Sequence, residues 1–252
     1  LRKPLIAGNW KMYKTGKETV DFCRQLKTRV GDKSDREILI CPPFPSLQLA
    51  REELEGTKIG LGAQNMYWEQ KGAFTGEVSA DMLKDSGCEY VIVGHSERRA
   101  YFGETDETVH RKVKSAISQG LIPIVCIGER LEERESGKTM DVLTRQLEGG
   151  LSGIQLDRGD ALVVAYEPVW AIGTGKTATT EIAQEAHLFI REQLRKLFGE
   201  LAEEIRILYG GSIKPANISG LMACKDIDGG LVGGASLEVD SFITIIDYKG
   251  GV

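Results

Sequence analysis

A (β/α)8 barrel is the fold that the sequence predicts, on three observations. Short apolar runs alternate with longer amphipathic stretches from one end of the chain to the other. The runs are continuously apolar, as parallel strands buried on both faces must be. Eight such pairs fill 252 residues without a linker or a shift of composition between them, which is the size and order of a closed α/β barrel. A doubly wound open sheet is the alternative. Residues 1–252 are therefore expected to form one domain.

The first strand is expected over Leu5 to Asn9. Behind it, Thr19 to Val30 sets Val20, Phe22, Cys23, Leu26 and Val30 on one helical side. Strands follow at Ile38 to Cys41, Ile59 to Ala63 and Tyr90 to Val93. Thr105 to Gln119 opens with a threonine cap, then Asp106 and Glu107, which suit the positive end of a helix. Ile122 to Ile127 and Ala161 to Tyr166 are the fifth and sixth strands. Glu181 to Phe198 then spaces Ile182, Ala186, Phe189, Ile190, Leu194 and Leu197 at helical intervals. Ile205 to Tyr209 and Gly229 to Val232 complete the eight.

Composition narrows the function classes. Hydrophobic content of 41% and charged content of 27% are those of a globular chain. At this length folding should remove roughly 70–75% of the unfolded surface from water, enough for a self-sufficient core. No apolar run approaches a membrane span, and Leu1-Arg2-Lys3-Pro4 carries no signal-peptide core, so neither membrane nor secretion is expected. A net charge of -5 without a basic cluster makes nucleic acid an unlikely partner, yet leaves room for a small anion. Cys23, Cys41, Cys88, Cys126 and Cys224 are odd in number and scattered, which fits buried thiols in a reducing cytoplasm. His95, His110 and His187 lie far apart in no metal-binding spacing, so a structural or catalytic zinc site is not expected.

In such a fold the chemistry belongs at the C-terminal ends of the strands. The unusual residues gather there. Asn9-Trp10-Lys11-Met12 follows the first strand, Gly94-His95-Ser96-Glu97-Arg98-Arg99 the fourth, Tyr209-Gly210-Gly211-Ser212 the seventh and Val232-Gly233-Gly234-Ala235-Ser236 the eighth. The sixth strand ends in a lone carboxylate, Glu167, then Pro168, the apolar Val169-Trp170-Ala171-Ile172, and Gly173-Thr174-Gly175-Lys176. An apolar loop between a rigid proline and glycines reads as a lid that folds down and excludes water from a catalytic base. The competing reading is a strand-end glutamate paired with a nearby cation under a loop that merely packs.

The two glycine pairs each precede a helix. With Ser212 and the amide of Gly173 they are expected to cradle a phosphate. One pair alone would say no more than a tight turn. Lys11 alone reads as a surface lysine, or as a cation turned toward an anionic substrate. His95 alone is a satisfied polar residue or a catalyst, and Arg98 and Arg99 read as a solvated charge run or a salt-bridge cluster. Gly175-Lys176-Thr177 resembles the end of a nucleotide loop, but the leading glycine would fall at Trp170.

Asn9 to Met12, Gly94 to Arg99, Ala165 to Lys176, Tyr209 to Ser212 and Leu231 to Gly234, in this order and spacing, resemble the triosephosphate isomerase family over essentially the whole chain. The resemblance implies a single TIM barrel, residues 1–252, as the catalytic domain. It implies interconversion of dihydroxyacetone phosphate and D-glyceraldehyde 3-phosphate, a step of glycolysis and gluconeogenesis, without metal or organic cofactor. Glu167 would be the base and His95 a neutral hydrogen-bond donor to the carbonyl; this family is itself a standard illustration of such tuning and of lid closure. Lys11 and Asn9 would stabilise negative charge, while Gly173, Ser212, Gly233 and Gly234 would bind phosphate. Residues Pro168, Val169, Trp170, Ala171, Ile172, Gly173 and Thr174 would form the lid. Glu97 would act near Lys11, as an orienting ion pair or a proton relay. Cys126 would pack behind Glu167.

The excursion Gln64 to Gly76 resembles the loop by which family members enter a neighbouring subunit. Thr75 would then approach the partner's site in a homodimer, or in a larger assembly. The chain departs from the family at Thr180, where many relatives start a helix with proline, and at Tyr13. Another phosphosugar barrel enzyme and a non-catalytic barrel are the remaining alternatives. The first would need a metal-ligand set or a Schiff-base lysine, and the second the loss of Lys11, His95 or Glu167.

Overall fold

Residues 2–171 and 178–250 are described in the computed structural model of the chain. Its strands are β1 Leu5–Asn9, β2 Glu37–Cys41, β3 Ile59–Ala63, β4 Tyr90–Val93, β5 Ile122–Ile127, β6 Val163–Tyr166, β7 Arg206–Tyr209 and β8 Gly229–Val232. They run parallel in sequence order and close on themselves, Leu5 pairing with both Glu37 and Gly229. The helices are α1 Gly16–Val30, α2 Leu47–Leu54, α3 Ala80–Asp85, α4 Ser96–Tyr101, α5 Asp106–Ser118, α6 Leu131–Glu135, α7 Thr139–Leu151, α8 Thr180–Phe198, α9 Ile218–Met222 and α10 Val239–Ile246. The expected closed barrel is present, and the open sheet is not.

The continuous apolar runs divide by parity. Leu5, Ala7, Leu39, Cys41, Tyr90, Ile92, Ile124, Cys126, Val163, Ala165, Leu208 and Leu231 fill the barrel interior. Their neighbours Ile6, Val91, Val93, Val125, Ile127, Val164, Ile207 and Val232 face outward into the layer under the helices. Alternate side chains of a strand point to opposite faces, so one run supplies two cores. The same parity matters for the site: it puts Asn9 inside after Ala7, and Glu167 inside after Ala165.

The element ends differ from expectation in small ways. β6 begins at Val163 because Gly159–Ala161 forms a 3-10 turn instead. The Gly159 amide in that turn donates to Glu204 Oε2 at 3.0 Å. Thr105 does cap α5, in a reciprocal box with Thr108. Thr179, not Thr180, caps α8, by accepting the Ile182 amide at 3.3 Å.

The far mouth of the barrel is closed by Arg206, which donates to Glu37 Oε2 at 2.6 Å and to the Tyr90 hydroxyl at 3.0 Å. On α8 the buried face carries His187 and Arg191 beside its apolar residues, and apolar periodicity does not reveal them. Arg191 is held by the Ala202 and Ile205 carbonyls and by Asp228. His187 Nδ1 meets the Asp226 carbonyl at 3.1 Å.

Burial pushes the His187 pKa from 6.5 down to about 3. Below its ordinary pKa the unfolded chain takes up a proton that the folded chain refuses. Folding stability therefore falls with pH from about 6.5 toward 3, by roughly 1.4 kcal/mol per unit from this group. In His187→Gln the acid sensitivity is expected to flatten, read as the change in urea midpoint between neutral pH and about pH 5. An unchanged slope would remove His187 as its cause.

Candidate active site

Four strand ends build the site. After β1 the chain turns sharply, and Lys11 takes a left-handed backbone with φ 52°. That conformation is uncommon for a residue with a side chain and needs support from its surroundings. The Asn9 side chain accepts the Lys11 amide at 3.0 Å, and Gln64 Nε2 donates to the Lys11 and Cys41 carbonyls, both at 2.8 Å. So held, the Lys11 ammonium reaches Glu97 Oε1 at 2.5 Å. Lys11 is thus turned inward, not spread on the surface. Gln64 was expected only as the start of a loop; that its amide braces the β1 turn is visible only in three dimensions.

His95 is the N-cap of α4. Its Nδ1 accepts the Glu97 amide at 3.2 Å, so the proton of a neutral ring sits on Nε2. Nε2 lies 2.9 Å from Glu167 Oε1, and the other oxygen of Glu167 accepts the Ser96 amide at 2.9 Å. Glu167 is only 2% exposed. Burial pushes its pKa up, but the His95 ring, the Ser96 amide and the Lys11 charge outweigh burial and hold it below the ordinary value. Burial likewise opposes charge on His95, yet the Glu167 and Glu97 carboxylates outweigh it and raise its pKa. Asn9, Lys11, His95, Glu97 and Glu167 therefore meet at one mouth.

Glycines let the backbone around Glu167 close up. A Cβ at Gly128 would lie 1.7 Å from the Glu167 carbonyl oxygen, and one at Gly210 would lie 2.9 Å from Glu167 Cγ. A Cβ at Gly211 would lie 3.0 Å from Pro168 Cγ. The 210–211 pair thus makes room for the base and its proline. It does not open onto a helix as expected, since α9 begins only at Ile218 and the Ser212 carbonyl is taken by Asn217 Nδ2 at 2.9 Å. The 233–234 pair does open a helical turn, the 3-10 segment Gly234–Ser236. A Cβ at Gly233 would lie 3.5 Å from Lys11 Cε, whereas one at Gly234 would meet open space.

The first part of the expected lid is already folded in: Pro168 and Ala171 are buried, and Val169 and Trp170 half-buried. Glu129, a residue the sequence reading passed over, anchors it. Its carboxylate accepts the Trp170 indole at 2.8 Å and the Tyr166 hydroxyl at 3.1 Å, and its carbonyl takes the Val169 amide. Its place two residues past the end of β5, on the same rim as Glu167, was the available signal. Ile172, Gly173 and Thr174 lie outside the described residues. Cys126 packs inside the barrel at 0% exposure. Thr75 is exposed on its loop and lines neither of the two cavities beside the site. Among the described residues no group of His, Cys, Asp or Glu is placed to hold a metal ion, and no helix is long and apolar enough to cross a membrane.

Comparison with known proteins shows the family. The profile of the family described as triosephosphate isomerase matches residues 4–249. A triosephosphate isomerase of Carboxydothermus hydrogenoformans is 58% identical over 253 residues, covering 100% of both chains. One of Endomicrobium trichonymphae is 56% identical over 249 residues, 99% of this chain and 100% of that protein. The crystal structure of triosephosphate isomerase from Bartonella henselae superposes with a TM-score of 0.89 at 42% identity, over 97% of this chain and 98% of that one. With its barrel closed in sequence order and matches of this length and identity, the chain belongs to the triosephosphate isomerase family.

Proposed function

We propose that Glu167, His95, Lys11 and Asn9 carry the family's reaction in this chain, the interconversion of dihydroxyacetone phosphate and D-glyceraldehyde 3-phosphate. The observation that supports this most is the meeting of Glu167 and His95 Nε2 at 2.9 Å, with the His95 Nδ1 already occupied by an amide. Glu167 gives up the Ser96 amide and takes a proton from the carbon beside the substrate carbonyl. His95 Nε2–H donates to the carbonyl oxygen as it gathers negative charge. Once Glu167 has turned to the substrate, the stronger of the two carboxylates that raise the His95 pKa is gone, and Lys11 opposes the other. Burial and the Glu97 amide then favour the neutral ring. The Lys11 ammonium, with the Asn9 amide nearby, stabilises the enediolate; the hydroxyl proton passes from one substrate oxygen to the other, and Glu167 returns its proton to the adjacent carbon.

Ser212, Gly233, Gly234 and Gly173 are assigned to the phosphate by the family resemblance, and of these Gly233 lies beside the Lys11 stem. Glu97 is assigned as the orienting partner of Lys11, on their 2.5 Å ion pair. Residues 168–174 are assigned as the lid, and residues 1–252 as one catalytic domain. A coupled assay of glyceraldehyde 3-phosphate isomerisation tests the reading. Turnover without added metal is expected, and a folded chain with no turnover would end it.

A homodimer is part of the same proposal. Residues 71–77 are exposed, and Phe74 packs against Tyr67 with ring centres 4.7 Å apart and planes tilted by 45°, so the loop is stiffened yet uncovered. Beside the site lies a cavity of ≈ 320 Å³ lined by Lys11, Gln64, His95 and Glu97, with Met12 (94% exposed) and Phe102 (67%) in its lining. Apolar groups so placed ask for a covering partner. Entry of the partner's Thr75 loop into this cavity would cover them. Sedimentation should give a dimer, and activity should fall as dilution dissociates it. A fully active monomer would overturn the pairing. The four buried free thiols support a reducing compartment, the cytoplasm.

A further inference from the structure

Gly94, the residue before His95, is pinned through both its amide and its carbonyl. Gly94 has φ 73°, and its amide donates to the buried Glu104 Oε2 at 2.9 Å. Its carbonyl accepts Arg99 Nε at 2.9 Å. The same guanidinium donates to Asp106 on α5 at 2.5 Å and reaches the Cys126 carbonyl at the end of β5 at 3.5 Å. Arg99 is largely buried, with 15% of its side chain exposed. One planar cation thus ties the exit of β4 to β5 and α5, and only a forked donor can serve all three acceptors. The backbone it fixes leads directly into His95. A rotation of that peptide would swing the ring away from the Glu97 amide on one side and from Glu167 on the other.

We infer that Arg99 is a positioning residue for the isomerisation: it locks the Gly94 peptide and so seats His95 Nδ1 on the Glu97 amide. The inference rests on His95 being the donor to the substrate carbonyl. The charged groups facing the ring are Glu167 from the end of β6, Glu97 from α4 and Lys11 from the turn after β1. With the amide bond intact, neither carboxylate can draw a second proton onto the ring without breaking that bond. With the ring loosened, both can.

Arg99→Met is expected to lower kcat on the order of 10²-fold through misplacement of His95, with KM changed less than about threefold. Nitrogen NMR of the imidazole should show His95 taking its second proton at a higher pH in the variant than in the parent. Arg99→Lys, which can reach the Gly94 carbonyl or Asp106 but not both, should lie between the two; should the methionine variant not fold, it carries the same readings. Parent-like kcat overturns the inference. So does a loss of kcat with unchanged His95 nitrogen signals, which would mean a structural role alone. His95→Gln serves as the control: if it too is fully active, the catalytic reading fails, not only the role of Arg99.

Discussion

Glu167→Gln is expected to lose about 10²–10⁴-fold in kcat, the usual worth of a positioned general base, with KM changed little. Glutamine keeps the shape and can still accept the Ser96 amide, so the site should remain assembled. What it lacks is a lone pair basic enough to take a proton from carbon. The pH profile sharpens the prediction. Because His95, the Ser96 amide and Lys11 hold the Glu167 pKa below its ordinary value, the free enzyme keeps its base ionised into mild acid. The limb of the profile that Glu167 sets should therefore lie below the ordinary carboxylate range. The variant should show no such limb. Retention of activity within about twofold in Glu167→Gln would show that another group abstracts the proton.

The fold was legible because two physical patterns agree. Runs such as Ile122 to Ile127 are apolar at every position since alternate residues serve two cores, and that is visible without coordinates. The helix after residue 104 was readable from one threonine and two acids, and it starts at Asp106 with Thr105 as its cap. The gathering of Asn9, Lys11, His95, Glu97 and Glu167 also followed from strand order, since a closed barrel brings all strand ends to one rim. Roles beyond that gathering came from the family resemblance, not from spacing.

Other features depend on contacts that no local pattern encodes. Gln64 is 53 residues from Lys11, so nothing near either one announces the brace. Glu129 looks like the start of an ordinary charged turn until Tyr166 and Trp170 are seen to donate to it. Arg99 sits in a charge run whose default reading, a salt-bridge cluster, is correct as far as it goes: it pairs with Asp106. That its third nitrogen reaches toward β5 is a property of closure. One glycine pair misled for the same reason, since Gly210 and Gly211 answer a steric demand from Glu167, Tyr209 and Pro168 and not a helix start.

The largest effect away from the reacting groups is expected from Gly128→Ala, a substitution of a single methyl. Gly128 follows β5 at the level where Glu167 follows β6, and the two ends are joined by the Glu167 amide donating to the Ile127 carbonyl at 2.7 Å. Gln146 holds the same turn by accepting the Gly128 amide at 2.7 Å and donating to its carbonyl at 3.3 Å. The added Cβ would stand 1.7 Å from the Glu167 carbonyl oxygen and 2.6 Å from its carbonyl carbon. Both obstacles are backbone, which cannot step aside as a flexible side chain would. The two strand ends must part. Overpacking of this kind costs typically 1–3 kcal/mol of stability. Displacing the base by about 1 Å adds a loss on the order of 10²-fold in kcat/KM.

Gly220→Ala is the matched control. It lies within α9, where the new methyl would meet only the Thr180 methyl at 3.5 Å, and alanine favours a helix over glycine. That variant should keep full activity and melt no lower than the parent. Calorimetry and steady-state kinetics on the two proteins separate the outcomes. If Gly128→Ala melts and turns over like the parent, the strand ends are looser than the contacts around Glu167 imply. The tight seat assigned to the base would then have to be given up.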